Sequence, residues 1–239
     1  PILELAKIEI QAKGLVSTDI NDFIQDGNFE NLIGSIKAKN LDITGPELKG
    51  DQLKTSLLDV AVKLKSQQQL INIEKFQFDS DWLSAKVRGM VPTTFKSWSD
   101  FLTSEPDFSL NADFELDVAV LLSQMPHTFA IKESAKITSG KLSGNITAHR
   151  GSITGQANLA ELTGVVEDKK LAFSEPVTGK LQISADNNKI SFDTLNISSA
   201  FAKIDASGPL EQLKYNGYVD LEKLLSELGQ FANLGAYKI

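Results

Sequence analysis

The sequence predicts an all-β fold with a few short helices: an elongated, twisted, mainly antiparallel and repetitive β-sheet that curls into a groove. Three observations lead there. Apolar and polar residues alternate at period two along most of the chain, turn-forming residues separate the alternating runs, and the pattern of one half returns in the other.

Taken in chain order, the first run is Ile8, Ile10, Ala12, and the next clear one is Leu58, Val60, Val62, Leu64. Leu83, Ala85, Val87 and then Phe108, Leu110, Ala112, Phe114, Leu116 continue the first half. The second half adds Leu142, Gly144, Ile146, Ala148, then Leu181, Ile183, Ala185, then Ala202, Ile204, Ala206, with a turn signal at Asp186 Asn187 Asn188. The residues between are Lys, Glu, Gln, Ser, Asn and Thr. Each strand therefore turns one face to water and the other to something apolar, and an antiparallel meander is the simplest topology.

The repeat can be followed residue by residue. Gly34 Ser35 Ile36, Asn40 Leu41 and Thr44 Gly45 match Gly151 Ser152 Ile153, Asn158 Leu159 and Thr163 Gly164, at a spacing of 117 that grows to 119. Ile71, Ile73, Phe76, Phe78, Ser80, Trp82 and Gly89 then match Ile190, Phe192, Leu195, Ile197, Ser199, Phe201 and Gly208 at 119. The first copy carries 16 extra residues from Pro92 to about Asp107. Beyond them Asp117 Val118 with Leu121 Leu122 Ser123 matches Asp220 Leu221 with Leu224 Leu225 Ser226 at 103, and Asp19 Ile20 with Phe23 Ile24 is a weaker third instance.

Aspartate, an apolar residue, two free positions and two apolar residues suit an N-cap opening a short helix with one buried face, so Asp19, Asp117 and Asp220 are expected to cap helices. The chain reads as one continuous body over 1–239, with units at about 34–126 and 151–230 and a partial unit at about 1–33. No Pro-, Gly- or Ser-rich linker separates the copies. Phe95, Trp98 and Phe101 in the inserted segment recur every third residue, which suits either an amphipathic helix closing one end or a surface loop.

Composition narrows the function. The net charge of -7, from 24 basic and 31 acidic residues, disfavours nucleic acid as a partner. The absence of cysteine removes disulfides, thiolate metal sites and cysteine nucleophiles. No run approaches the roughly 20 apolar residues of a membrane-spanning helix. The chain opens Pro1 Ile2 Leu3 Glu4 without an initiator methionine, so it is expected to be a piece of a longer protein whose anchor or targeting segment lies outside it.

Catalytic, metal-ligating and cofactor-binding constellations are not expected. His127 and His149 fall outside any metal-ligand spacing, and each reads as a surface or loop residue without a partner. Asp79, Ser80 and Asp81 lack the glycine and distal glutamate of a calcium loop and suit a strand bend. Lys63 with Lys65, and Lys169 with Lys170, suit strand ends and a hairpin tip better than a lipid head-group site.

The run from Gly34 to Pro46, the residues Phe76, Phe78, Ser80, Trp82 and Gly89, and the closing segment Asp220 to Leu225 resemble the AsmA-like family of bacterial envelope proteins, the group that includes TamB and YhdP. The resemblance covers most of the chain in pattern. It implies a periplasmic segment of a protein anchored in the inner membrane through a part not in this chain, with an apolar groove that passes phospholipid between inner and outer membranes. Under that reading Phe76, Phe78, Trp82, Phe192, Ile197 and Phe201 are candidates for the groove wall; packing against one another in a filled core is the ordinary alternative. Phospholipid or another acyl-chain lipid is then the expected partner, and other envelope β-proteins are possible ones. The competing function is a structural or assembly element of the envelope, with a filled interior and no lipid ligand, acting through sheet edges by strand addition.

Overall fold

The computed structural model describes residues 11–25, 28–94, 98–103, 105–186, 189–233 and 235. They form a single 13-stranded sheet in which neighbouring strands follow one another in sequence. It is antiparallel throughout, not closed into a barrel, and carries only short helices.

The strands of the first half are β1 (Gln11–Gln25), β2 (Asn28–Thr44), β3 (Leu53–Gln67), β4 (Leu70–Asp79), β5 (Leu83–Pro92) and β6 (Ser109–Asp117). Helix α1 (Trp98–Thr103) lies between β5 and β6, and α2 (Val118–Gln124) follows β6 directly. The second half runs β7 (Ala135–His149), β8 (Ser152–Val166), β9 (Lys169–Ala172), β10 (Val177–Asp186), β11 (Lys189–Ser198), β12 (Ala202–Pro209), β13 (Lys214–Val219) and α3 (Leu221–Phe231). β9 and β10 share one edge of β8, pairing with Thr163–Val166 and with Ser152–Leu159 respectively.

Local chemistry repeats between the halves. In the β4–β5 turn Ser80 Oγ accepts from the Leu83 amide at 3.0 Å, and in the β11–β12 turn Ser199 Oγ accepts from the Ala202 amide at 3.0 Å. Gly89 and Gly208 both have positive φ, 131° and 115°, where a side chain is strained. Register shifts fall at matching places: Lys63/Leu64 and Gln182/Ile183, then Ile73/Phe76 and Phe192/Leu195. Asp117 Oδ1 accepts from the Val120 amide, and Asp220 Oδ1 from the Lys223 amide, each at 3.0 Å. The spacings of 119 and 103 therefore hold in three dimensions.

Three expectations need correction. Asp19 caps no helix: it sits inside β1 opposite Ser35, in a ladder that runs from Gln11 opposite Thr44 to Gln25 opposite Asn28. Its backbone is committed to pairing with β2, whereas Asp117 and Asp220 stand where a strand ends and the next amides need acceptors. The match of Gly34 to Gly151 is also out of register. Gly34 lies mid-strand opposite Val62, as Gly155 lies opposite Leu181; Gly151 is in a turn. Asn40 and Glu161, both with positive φ near 50°, mark the same irregularity in β2 and β8 and set the spacing at 121. Finally, β1 is no partial unit. It opens the first unit as β7 opens the second, with a shift at Lys13/Leu15 matching one at Ser139/Lys141, a spacing of 126.

Two hydrophobic clusters lie toward opposite ends of the strands. Phe101 and Leu102 of α1 pack with Leu70, Phe108 and Ala148, and the Phe101 and Phe108 rings are 4.7 Å apart. At the other end Val118 of α2 and Phe231 of α3 pack with Ile137 and Leu162. The inserted segment is thus helical at 98–103 and covers one end of the sheet; Phe95 and the Trp98 side chain lie outside what is described, as do Ile8, Ile10, Asn187 and Asn188.

Candidate functional groove

Residues directly opposite one another in antiparallel strands share a face. The register therefore defines rows that cross the whole sheet. One row runs Ile20, Gly34, Val62, Phe76, Val87, Ala112 through β1 to β6, and continues Ile146, Gly155, Leu181, Leu195, Ala206, Tyr215 through β7, β8 and β10 to β13. The next row on that face is Thr18, Ile36, Val60, Phe78, Ala85, Phe114, then Gly144, Ala157, Gly179, Ile197, Ile204, Gly217. Thr18 is the one residue in either row, apart from the Tyr215 hydroxyl, with a polar side-chain group.

The row between them faces the other way and inverts the chemistry: Asp19, Ser35, Ala61, Gln77, Lys86, Asp113, then Asn145, Gln156, Lys180, Asn196, Asp205, Asn216. All but Ala61 are polar. One face is thus a continuous apolar trough and the other a hydrated back, with ion pairs such as Lys141 Nζ to Glu115 Oε1 at 2.8 Å.

The trough is covered at its margins and open along its floor. The helices cover the two clusters, but between them the floor stays partly accessible: Ile146 is 43% exposed and Ile197 39%. Phe76, Phe78 and Val60 are half-buried. Small residues deepen the floor in the second unit, where Gly144, Ala157 and Gly179 stand in the row that holds Val60, Phe78 and Phe114 in the first. The Phe114 ring lies over Gly144, where a Cβ would come within 2.7 Å of it.

The six candidate wall residues divide accordingly. Phe76, Phe78 and Ile197 lie on the floor rows. Phe192, opposite Ile183, is one step toward the end covered by α1. Trp82 and Phe201 sit in equivalent turns at the opposite margin, their carbonyls accepting from the Asp117 and Asp220 amides at 2.9 and 2.8 Å. There Phe201 meets Phe173 edge-on at 5.8 Å, Phe173 meets Phe231, and Trp82 meets Phe78 at 6.2 Å. These two aromatics belong to the margin. Val60, Val62, Phe114, Ile146, Leu181 and Ile204 complete the floor; their signal was the period-two alternation itself, which marks face but ranks no residue above another.

Polar side chains tie the margin beside α2. Buried Asp51, before β3, meets His127 Nδ1 at 2.7 Å and accepts from the Thr128 amide at 2.7 Å, while Thr128 Oγ1 donates to the Leu48 carbonyl at 2.9 Å. His127 thus has a partner that sequence spacing did not reveal, because the two residues are 76 positions apart. Burial pushes the Asp51 carboxyl up, but hydrogen bonds from Thr128 and His127 outweigh it and hold the group below the ordinary carboxylate range. The Ile131 to Ala232 bridge and the bond from the Lys132 amide to the Phe231 carbonyl at 2.9 Å join the same loop to the end of α3.

Other polar candidates have local partners. Asp81 accepts from the Ser56 amide and hydroxyl, and Asp79 from the Ser84 hydroxyl, which secures the strand bend. Lys63 pairs with Glu74 at 2.6 Å. No helix among the described residues is long and apolar enough to cross a membrane. A scan against protein-family models finds no match for the chain, and searches of curated proteins and of solved structures return none either.

Proposed function

We propose that the apolar trough binds acyl chains, and that this chain is a non-enzymatic, periplasmic segment of an AsmA-like envelope protein that conducts phospholipid between inner and outer membranes. The observation that carries the reading is the pair of apolar rows crossing every strand of the main sheet path without a charged residue, half-exposed between covered margins. An open apolar surface of this extent is costly in water unless a ligand covers it. Hydrocarbon is the ligand whose chemistry matches, since each methylene buried contributes about 0.8 kcal/mol without a directional contact. A floor that stays apolar from strand to strand also suits movement along it, because hydrocarbon meets no directional contact to hold it at one position.

The test is native mass spectrometry of the gently purified chain, followed by solvent extraction and lipid analysis. Phospholipid at a fixed stoichiometry, lost in Ile146→Asp and Ile197→Asp, is the expected result. Those positions are already partly in water, so far-UV circular dichroism should stay unchanged. A lipid-free mass for the parent chain, together with no uptake from phospholipid vesicles, would overturn the proposal and leave the structural or assembly role, in which strand edges do the binding.

A further inference from the structure

The repeat supplies an internal comparison for the back of the sheet. In the first unit Lys37 of β2 lies opposite Asp59 of β3, and its Nζ reaches the carboxylate at 3.4 Å. The positions equivalent by the spacings of 121 and 119 are Asn158 and Thr178, which face each other across β8 and β10. One row away, Lys63, opposite Lys75 and paired with Glu74 at 2.6 Å, gives way to Gln182 opposite Thr194, and Ile33 gives way to Thr154. Asp19 and Ser35, opposite each other, become Asn145 and Gln156. The second unit thus keeps the backbone frame and exchanges charge for neutral amides and hydroxyls; at these positions Lys180, in the place of Ala61, is the one cation.

These groups surround two adjoining hollows. One, of about 400 Å³, is lined by Ser143, Asn145, Gln156, Asn158, Thr178 and Lys180. The next, of about 500 Å³, shares Asn145, Gln156 and Lys180 and adds Thr154, Gln182 and Thr194. Both have the size of a small-ligand site. Elsewhere on this face polar side chains satisfy one another: Thr147 donates to Asn111 at 3.0 Å, Ser184 to Asp193 at 2.8 Å and Asn196 to Asp205 at 2.6 Å. Among the described residues, none of the polar side chains just named for the two hollows has a hydrogen-bond or ion-pair partner.

We infer that the two hollows form a binding site for an uncharged oligosaccharide lying across β7, β8, β10 and β11. A carboxamide offers a donor and an acceptor side by side, and each sugar hydroxyl both donates and accepts, so adjacent hydroxyls and carboxamides satisfy one another in pairs. Successive strands place these groups about 4.8 Å apart, close to the length of one hexose residue in a chain. A single lysine gives no footing to a phosphate backbone, which needs several neutralising cations. A rim of amides and hydroxyls likewise leaves hydrocarbon to the opposite face. The site lies on the other side of the sheet from the apolar trough, so either reading can fail without the other.

The repeat also supplies the test. Asn158→Lys with Thr178→Asp installs the first unit's ion pair in an equivalent frame, which keeps the fold while closing the first hollow. Asn145→Ala with Gln156→Ala removes two exposed carboxamides without adding charge. Lys37→Asn with Asp59→Thr makes the reverse exchange in the first unit and is the control. The isotope-labelled parent and variants are titrated with cellohexaose, maltohexaose and N-acetylchitohexaose to about 10 mM, a range that covers a Kd of about 1 mM. The expected result is saturable movement of the side-chain amide signals of Asn145, Gln156 and Asn158 with at least one sugar. Affinity should fall about tenfold in both second-unit variants, as loss of one or two hydrogen bonds dictates, and stay unchanged at these signals in the control. Backbone amide spectra check each variant's fold. No movement with any of the sugars, movement confined to other amides, or parental affinity in the second-unit variants would each overturn the inference.

Discussion

Asp117 and Asp220 show how one carboxylate converts a strand into a helix. Each has φ near -80° and ψ of 100°, still extended, while its side chain accepts from the amide three residues on. Replacing such a cap with alanine costs about 1 kcal/mol. Asp117→Ala and Asp220→Ala should therefore each lower the urea midpoint of unfolding by an amount of that order. Asp19→Ala, mid-strand and exposed, should change it by less than about 0.5 kcal/mol. Equal losses at all three positions would contradict the assignment of Asp19 to β1.

Among elements, the loops beside β3 and β7 are joined by the Asp51, His127 and Thr128 contacts, which bridge segments 70 to 80 residues apart at the margin where α2 docks. Asp51 is buried and its carboxyl is held below its ordinary value. A group whose folded pKa is depressed stabilises the fold fully above its unfolded pKa, near 3.9, and loses that contribution as pH falls through the lower folded value. Acid titration of the thermal midpoint should thus show a loss setting in below about pH 4. Asp51→Asn should reduce the midpoint at pH 7 and flatten this acid-side slope. An unchanged slope in that variant would mean that other carboxylates govern acid unfolding.

At the scale of the whole molecule, stability is expected to be uneven. The two clusters draw on β4 to β10, covered by all three helices, whereas every residue of β13 is exposed and β1 contributes no residue to either cluster. Local opening free energies range from near zero to the global value in such cases. Native-state hydrogen exchange should place β6, β7 and β8 at the protected extreme and β13 and β1 at the labile one. Uniform protection across the sheet would contradict this ranking.

The two faces of the sheet are legible without any knowledge of the fold. Alternation at period two in runs such as 108–116 and 58–64 assigns side chains to trough or back with no knowledge of which strands pair, because that division is a local property of extended backbone. The repeat at 119 and 103, and the two true caps, were legible for the same reason: bulges, turns and N-caps are short-range chemistry carried by Ser80 and Ser199, Gly89 and Gly208, Asp117 and Asp220. Strand pairing resolves what short motifs leave open. Gly34 Ser35 Ile36 and Gly151 Ser152 Ile153 are identical triplets in different settings, and Asp19 carries a cap pattern inside a strand, because pairing with β2 satisfies the backbone before a helix can. Which apolar residues form the open floor and which the covered margin, and that Asp51 meets His127, follow from the order and register of 13 strands. Those are sums of long-range contacts, and no window of the sequence contains them.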